Sequence, residues 1–330
     1  MVKFLIIRFS SIGDIILTTP AIRLLKTQVD DSVIHYLIKE QYASILESNP
    51  YIDKLHLFSG NMDDTVKKLK REDFDYIIDL HHNIRSLLLK KRLQIIDFSV
   101  DKLNVKKWML VNLKINRMPD KHMVDRNLDT LKVFDVQDDE KGLDYFIPRN
   151  EEVDIETIGE KFNSGFIVLA IGARHHTKKL PPEKLLELAG LIKHPVVILG
   201  GPEDKETGDA VCKALPSGTI FNGAGKFSVN QSASLIKQAR LVISHDTGMM
   251  HIAAAFRKKI LSVWGNTVPL FGMYPYRPGN DSYIFEVNGL RCRPCSKIGY
   301  QRCPRRHFKC MIDQDITAIA EKANDLFTAQ

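Results

Sequence analysis

The chain contains no apolar run near the roughly 18–20 residues that cross a bilayer. Its longest such stretches, 166–172 and 241–244, are bounded by Gly, His and Asp and read as buried strands. The first eight residues, Met1 to Arg8, carry neither an apolar signal core nor a small-residue cleavage site, so the cytoplasm is the expected compartment. Cysteine is sparse, five in 330 residues, and with no export signal reduced thiols are expected. No Gly-x-Gly-x-x-Gly fingerprint occurs, which removes most support for a nicotinamide dehydrogenase. Repeats of 20–50 residues and low-complexity segments are missing too. With 44% hydrophobic and 26% charged residues, disordered, collagen-like and disulfide-dense classes are excluded.

What is there is a chain long enough for two domains. Short continuous apolar strands at 3–9, 33–37, 54–57, 76–80 and 95–98 alternate with helical stretches. After a polar segment around 148–163 the rhythm restarts, with strands at 166–173, 195–199, 219–222, 241–244 and 260–264. Continuous apolar strands between amphipathic helices predict an α/β fold with parallel sheets covered on both faces. The expectation is two doubly wound domains, 1–155 and 156–330, the last helix at about 315–327, and a ligand in the cleft between them.

Charge is concentrated rather than spread. Residues 85–117 hold nine Lys or Arg against two Asp, and residues 291–310 hold seven with no acid, each +7, so the rest of the chain sums to −7. Two basic islands point to an anionic partner or to solvated loops. Aromatic residues are not interleaved with them as a nucleic-acid stacking surface needs, so no nucleic acid is expected.

Four segments follow strands, where open α/β sheets bind ligands. In Ser10-Ser11-Ile12-Gly13-Asp14, Gly13 permits close approach and Asp14 is a candidate general base, although Ser and Asp also cap helices. In Ser244-His245-Asp246-Thr247-Gly248-Met249-Met250-His251, a strand runs into a small-residue helix whose first amides suit a pyrophosphate, with His251 one turn in. The plain reading makes Asp246 and Thr247 caps. Gly172 to Pro182 brings Lys178 and Lys179, either of which can neutralise a leaving phosphate or sit in solvent. Gly200-Gly201-Pro202-Glu203-Asp204 offers Glu203 to ribose hydroxyls, or is an ordinary strand-to-helix turn.

Taken together, these segments resemble the lipopolysaccharide heptosyltransferases, glycosyltransferase family 9. Residues 6–20 are similar to that family's N-terminal signature, and Asp79-Leu80-His81-His82-Asn83-Ile84-Arg85-Ser86 to its Asp-Leu-His-Gly-Asn-Leu-Arg-Ser. Thr177-Lys178-Lys179-Leu180-Pro181 resembles its Lys-Arg-Trp-Pro segment, and residues 246–254 its nucleotide motif. The resemblance implies a GT-B enzyme of two Rossmann-like domains. It would invert the anomeric centre while moving heptose from ADP-heptose to a sugar of the lipopolysaccharide inner core, with no catalytic metal and no cofactor. Asp14 would be the base and Lys178 would stabilise the leaving diphosphate. Lys179, Glu203, Asp246, Thr247, Gly248 and His251 would hold the donor, and Ser10, Gly13, His81, Asn83 and Arg85 would line the acceptor side. The anionic core and lipid A acceptor would bring the protein to the cytoplasmic face of the inner membrane, peripherally. His82 stands where Gly is usual and Asn266 where Pro or Ser is commoner. Another nucleotide-sugar donor or acceptor, or a non-catalytic nucleotide or saccharide binder, remains the alternative.

Cys292, Cys295, Cys303 and Cys310 have the ligand count and the opening Cys-x-x-Cys of a structural zinc site, or are reduced thiols packing an irregular loop.

Overall fold

The computed structural model describes residues 1–215 and 218–329. The chain divides into two compact units, Met1–Asn104 with Lys121–Phe146, and Val105–Asp120 with Ile147–Gln330. This partition differs from the expected 1–155 and 156–330, and its causes are local. Residues 151–153 are tied into the second unit: Ser228 Oγ donates to Glu151 Oε2 (2.6 Å), and Val153 N donates to Ser234 Oγ (2.9 Å). Within 105–120, Leu110 packs with Val268 and Phe271. Lys114 Nζ donates to the carbonyls of Cys292 (3.1 Å) and Pro294 (2.7 Å).

The first unit is a five-stranded parallel sheet, β1 (Val2–Ile7), β2 (Ser32–Lys39), β3 (Lys54–Phe58), β4 (Tyr76–Asp79) and β5 (Ile96–Ser99), in the order β3-β2-β1-β4-β5. The helices α1 (Ile12–Ile16), α2 (Thr19–Gln28), α3 (Met62–Lys70) and α4 (Ile84–Leu93) alternate with its strands. α5 (Asn104–Trp108) belongs mostly to the second unit, and α6 (Met123–Leu128) returns to the first. Strand β1 is central and its last four residues are fully buried, because helices cover both faces of a parallel sheet. Leu5, Ile7, Phe9, Leu37, Ile77 and Leu89 form the core of one face.

The second unit is a six-stranded parallel sheet of β6 (Ile167–Ala170), β7 (Val196–Leu199), β8 (Ile220–Asn222), β9 (Leu241–His245), β10 (Lys259–Trp264) and β11 (Tyr283–Glu286). Its order is β11-β10-β9-β6-β7-β8. Its helices are α7 (Pro182–Leu191), α8 (Lys205–Ala214), α9 (Val229–Gln238), α10 (Gly248–Ala255), α11 (Lys309–Ile312) and α12 (Ile316–Thr328). The terminal helix α12 packs on α7, where the Asn324 side chain donates to Leu191 O (3.0 Å) and accepts from Lys193 N (2.9 Å). Two Rossmann-like units in tandem match the α/β, GT-B class expected. Among the described residues, no helix is long and apolar enough to cross a membrane.

Candidate active site

In the first unit the site grows from the end of β1. The chain leaves the sheet through Arg8, Phe9 and Ser10, Ser11 caps α1, and Asp14 falls in that helix's first turn. Asp14 Oδ2 accepts from the Ser11 hydroxyl (2.8 Å) and amide (3.2 Å), and Arg8 Nη2 lies 2.6 Å from Asp14 Oδ1. Arg8 is itself buried, with Nε donating to Ser10 O (2.8 Å) and Nη1 to Leu80 O (2.5 Å). One guanidinium therefore joins the loop after β1 to the loop after β4. Burial pushes the Asp14 carboxyl up, but the Arg8 charge and the Ser11 hydrogen bonds outweigh it and hold it well below the usual carboxylate range.

The loop after β4 is built around Asp79, a fully buried carboxylate. Asp79 Oδ1 accepts from the amides of His81 (3.0 Å) and His82 (2.7 Å), while Lys90 Nζ stands 3.2 Å from Oδ2. This turn sets His82 at φ 41°, in the left-handed region. That conformation accounts for glycine as the residue usual there. His82 keeps it with a bond between Nδ1 and Val100 O (2.6 Å). His81 is buried edge-on against Phe9, ring centroids 5.1 Å apart, and burial followed by the Arg8 charge lowers its pKa to about 3. It is a neutral imidazole at physiological pH. Asn83 has a structural job, capping α4 through Oδ1, which accepts from Ser86 N (3.0 Å). The exposed Arg85 guanidinium lies over Phe9 (5.6 Å) and Phe58 (5.4 Å). Ser10, Asp14, His81 and Arg85 thus gather around Arg8 and Phe9, whereas Gly13 is buried inside α1.

In the second unit the candidates also lie at strand ends. Lys178, in the 3₁₀ turn His176–Lys178, donates to Asp246 Oδ2 (2.6 Å) and Asp246 O (3.2 Å), just beyond β9. Thr267 Oγ1 donates to the same Oδ2 (2.8 Å). Lys179 pairs instead with Asp204 (2.5 Å), whose other oxygen accepts from Gly201 N (2.9 Å). Glu203 is exposed on the adjacent turn. Thr247 is the residue before α10, and Gly248 opens that helix, whose first amides have no intrahelical acceptor. His251 is buried within α10. Lys178, Asp246, Thr247 and Gly248 are brought together, and Lys179 and Glu203 form a second group around Asp204.

Several residues to which the sequence reading gave no role complete these groups. Arg8 follows an apolar strand directly, the one signal that could have marked it, since a charge entering a core needs a partner. His245 Nε2 accepts from Leu180 N (3.0 Å), and burial then Lys179 hold the ring neutral, its pKa lowered to about 3. The segment 293–300 braces the Lys178 turn. Tyr300 O accepts from Thr177 N (3.1 Å), and Arg293 bonds Gly265 O (2.6 Å), Thr267 O (2.9 Å) and Glu286 Oε2 (2.8 Å). Arg293 is therefore a buried strut, not part of a solvated island. Gly265 is required here, because a Cβ would sit 2.7 Å from Thr177 O.

The cysteine cluster is not supported as a zinc site. All four thiols are free, Cys295 Sγ donates to Cys292 O (3.1 Å), and Cys292 Sγ lies 3.8 Å from His307 Nε2. No three of them converge to ligand distance among the described residues. Burial first, then the neighbouring thiols, push Cys295 up to about 11 and Cys310 to about 12.

The chain is similar to lipopolysaccharide heptosyltransferase 1 of Campylobacter coli, 26% identical over 291 residues that cover 80% of this chain and 84% of the relative. It is also similar to lipopolysaccharide heptosyltransferase 3 of Escherichia coli strain K12, 25% identical over 318 residues, 89% and 88% of the two chains. Among solved structures, E. coli ADP-heptose lps heptosyltransferase II shares the fold with a TM-score of 0.75 at 19% identity, covering 98% of both chains. The model of glycosyltransferase family 9 (heptosyltransferase) matches residues 63–302. The two sheets and this match agree: the chain belongs to glycosyltransferase family 9 and is a glycosyltransferase.

Proposed function

We propose that this enzyme transfers heptose from ADP-heptose, with inversion, to a sugar hydroxyl of the anionic lipopolysaccharide core. The donor assignment is supported by the ADP-heptose in a structural neighbour's name, and the acceptor by the lipopolysaccharide named for the relatives. The observation that carries the chemistry is the Asp14 carboxylate, held ionised by Arg8 beside a neutral His81.

Asp14 accepts the proton of the attacking hydroxyl. A carboxylate held so far down is a weak base, so proton transfer comes late, once the new C–O bond has made the hydroxyl oxygen strongly acidic. Its earlier role is to align that hydroxyl through a charge-assisted hydrogen bond. On the opposite face of the anomeric carbon the C–O bond to the diphosphate breaks. Lys178 and the amides at Thr247 and Gly248 take up the negative charge that leaves. Asp246 holds the Lys178 ammonium in place and, with His251, borders the donor. Lys179 and Glu203, set around Asp204, serve the nucleoside end. Ser10, Gly13, His81, Asn83 and Arg85 form the acceptor side, Asn83 through the cap it places on α4 and Gly13 from within the first turn of α1.

Contact with the membrane surface belongs to the same reading. Within 105–113, Val105, Trp108 and Leu113 are each more than half exposed, and Lys106 and Lys107 lie among them. Apolar side chains beside basic ones suit an anionic interface.

The test is acceptor-dependent ADP release from ADP-heptose, with UDP- and GDP-sugars alongside. Asp14→Asn is expected to abolish turnover while retaining ADP binding. Turnover at the wild-type rate in that variant refutes the base assignment. A UDP or GDP preference leaves the mechanism and overturns the donor, and no turnover with any donor favours a non-catalytic binder.

A further inference from the structure

Away from the site just described, three metal-ligating side chains converge on the first unit's sheet. His35 on β2 and His56 on the edge strand β3 face each other with His35 Nδ1 and His56 Nε2 3.0 Å apart. Glu72, in the turn before β4, puts Oε2 3.8 Å from His35 Nδ1. One ligand atom from each lies within 4.8 Å of the others. Two nitrogens bound to one tetrahedral Zn²⁺ at about 2.0–2.1 Å are separated by only a little more than this imidazole pair.

We propose that His35, His56 and Glu72 form a three-ligand site for a divalent metal of the zinc class, with a fourth position left to water. Imidazole and carboxylate ligands suit Zn²⁺, Co²⁺ and Ni²⁺. The surroundings prepare the ligands for this. Lys54 Nζ holds the other Glu72 oxygen (2.5 Å) and Lys3 Nζ holds the Glu72 carbonyl (2.9 Å), so Oε2 is the oxygen turned to the rings. Phe74 packs edge-on against His35, centroids 5.1 Å apart. His35 is buried, while His56 and Glu72 are half-buried and leave a way in from solvent.

The site is separate from Asp14. His35 is in register with Leu5, in the middle of the sheet, and Asp14 lies beyond the carboxyl end of β1. A bound ion would cross-link β2, edge strand β3 and the turn before β4, so its effect falls on local stability rather than on sugar transfer.

The test uses the full chain, thiols reduced, stripped with EDTA and titrated with Co²⁺ by equilibrium dialysis and absorption. One equivalent is expected, without sulfur-to-cobalt charge-transfer bands. His56→Gln and Glu72→Gln, both at half-buried positions, are expected to weaken it about tenfold or more, given that even outer-shell partners cost 10–100-fold. Cys292→Ser/Cys295→Ser is expected to leave it unchanged. Circular dichroism confirms that each variant is folded. Thiolate bands that vanish in the cysteine variant place the metal elsewhere and overturn the proposal. So does Co²⁺ binding no tighter in the wild type than in His56→Gln.

Discussion

Removing the Arg8 charge is the sharpest perturbation of the proposed base. In Arg8→Gln the cation 2.6 Å from Asp14 disappears, while Gln can still donate to Ser10 O or Leu80 O. Unit charges centred about 4 Å apart at an effective dielectric near 20 interact by about 4 kcal/mol. With 27% of the Asp14 side chain exposed, solvent screening reduces this to about half. At 1.36 kcal/mol per tenfold, the acid limb of kcat/KM then rises by about one to two pH units. In the wild type the folded Asp14 value lies below the unfolded one. The pair's stabilisation is thus fully present above the unfolded carboxylate value and is lost only as pH falls through the folded value. Wild-type activity is accordingly expected to show no Asp14 limb between about pH 4 and 8, whereas Arg8→Gln brings one toward that window. Arg8→Lys, which keeps the charge, is expected to stay close to wild type. The assay is the Asp14 carboxyl signal followed by NMR, with ADP release alongside, both taken down to the lowest pH at which circular dichroism shows each enzyme folded. A folded Arg8→Gln enzyme whose Asp14 carboxyl titrates no higher than in the wild type would refute the assignment of Arg8 as the group that keeps Asp14 ionised.

Lys178→Ala strips the partner from the nearly buried Asp246; a loss of about 10²–10³ in kcat is expected from the missing charge stabilisation, along with a lowered thermal midpoint from the stranded carboxylate. At the left-handed residue 82, His82→Gly is expected to be about 1 kcal/mol more stable than His82→Ala in urea denaturation, because both lose the bond to Val100 O and only Ala retains the steric cost. Arg85→Ala is expected to raise KM for an anionic acceptor with little change in kcat and to flatten its salt dependence, a split that steady-state kinetics at two ionic strengths reads directly.

Most of the fold was legible because a parallel sheet covered on both faces demands short, continuous apolar strands, and ten of the eleven strands announce themselves that way. The exception is instructive. β11 is an edge strand whose Tyr283 and Ile284 are over a third exposed, yet the edge strand β5 is as exposed and was legible, so exposure alone does not hide a strand. The division of the chain was less legible, since 105–120 join the second unit through Leu110 and Lys114, contacts nearly 160 residues or more distant in sequence. Site residues could be placed at strand ends by topology. Their partners could not: Lys178 and Lys179 are neighbours, yet one meets Asp246 and the other Asp204. Residue spacing within a loop says nothing about which neighbouring loop it will touch.

The two basic islands show how far total charge misleads about partners. Lys90 is buried between Asp79 and Asp97, Lys114 and Arg293 are consumed by backbone carbonyls, and Arg92 pairs with Asp63. These cations satisfy the protein's own acceptors and contribute little to an outside anion. Arg85 differs in kind. It is exposed and held over two aromatic rings beside His81, and no carboxylate forms an ion pair with it among the described residues. An orientation fixed by stacking lowers the entropy lost when a guanidinium binds a phosphate or carboxylate in two-pronged fashion. If the acceptor is anionic, recognition therefore rests on a few such preorganised cations rather than on the +7 of an island, and neutralising Arg85 should cost more than neutralising Lys91 next to Arg92.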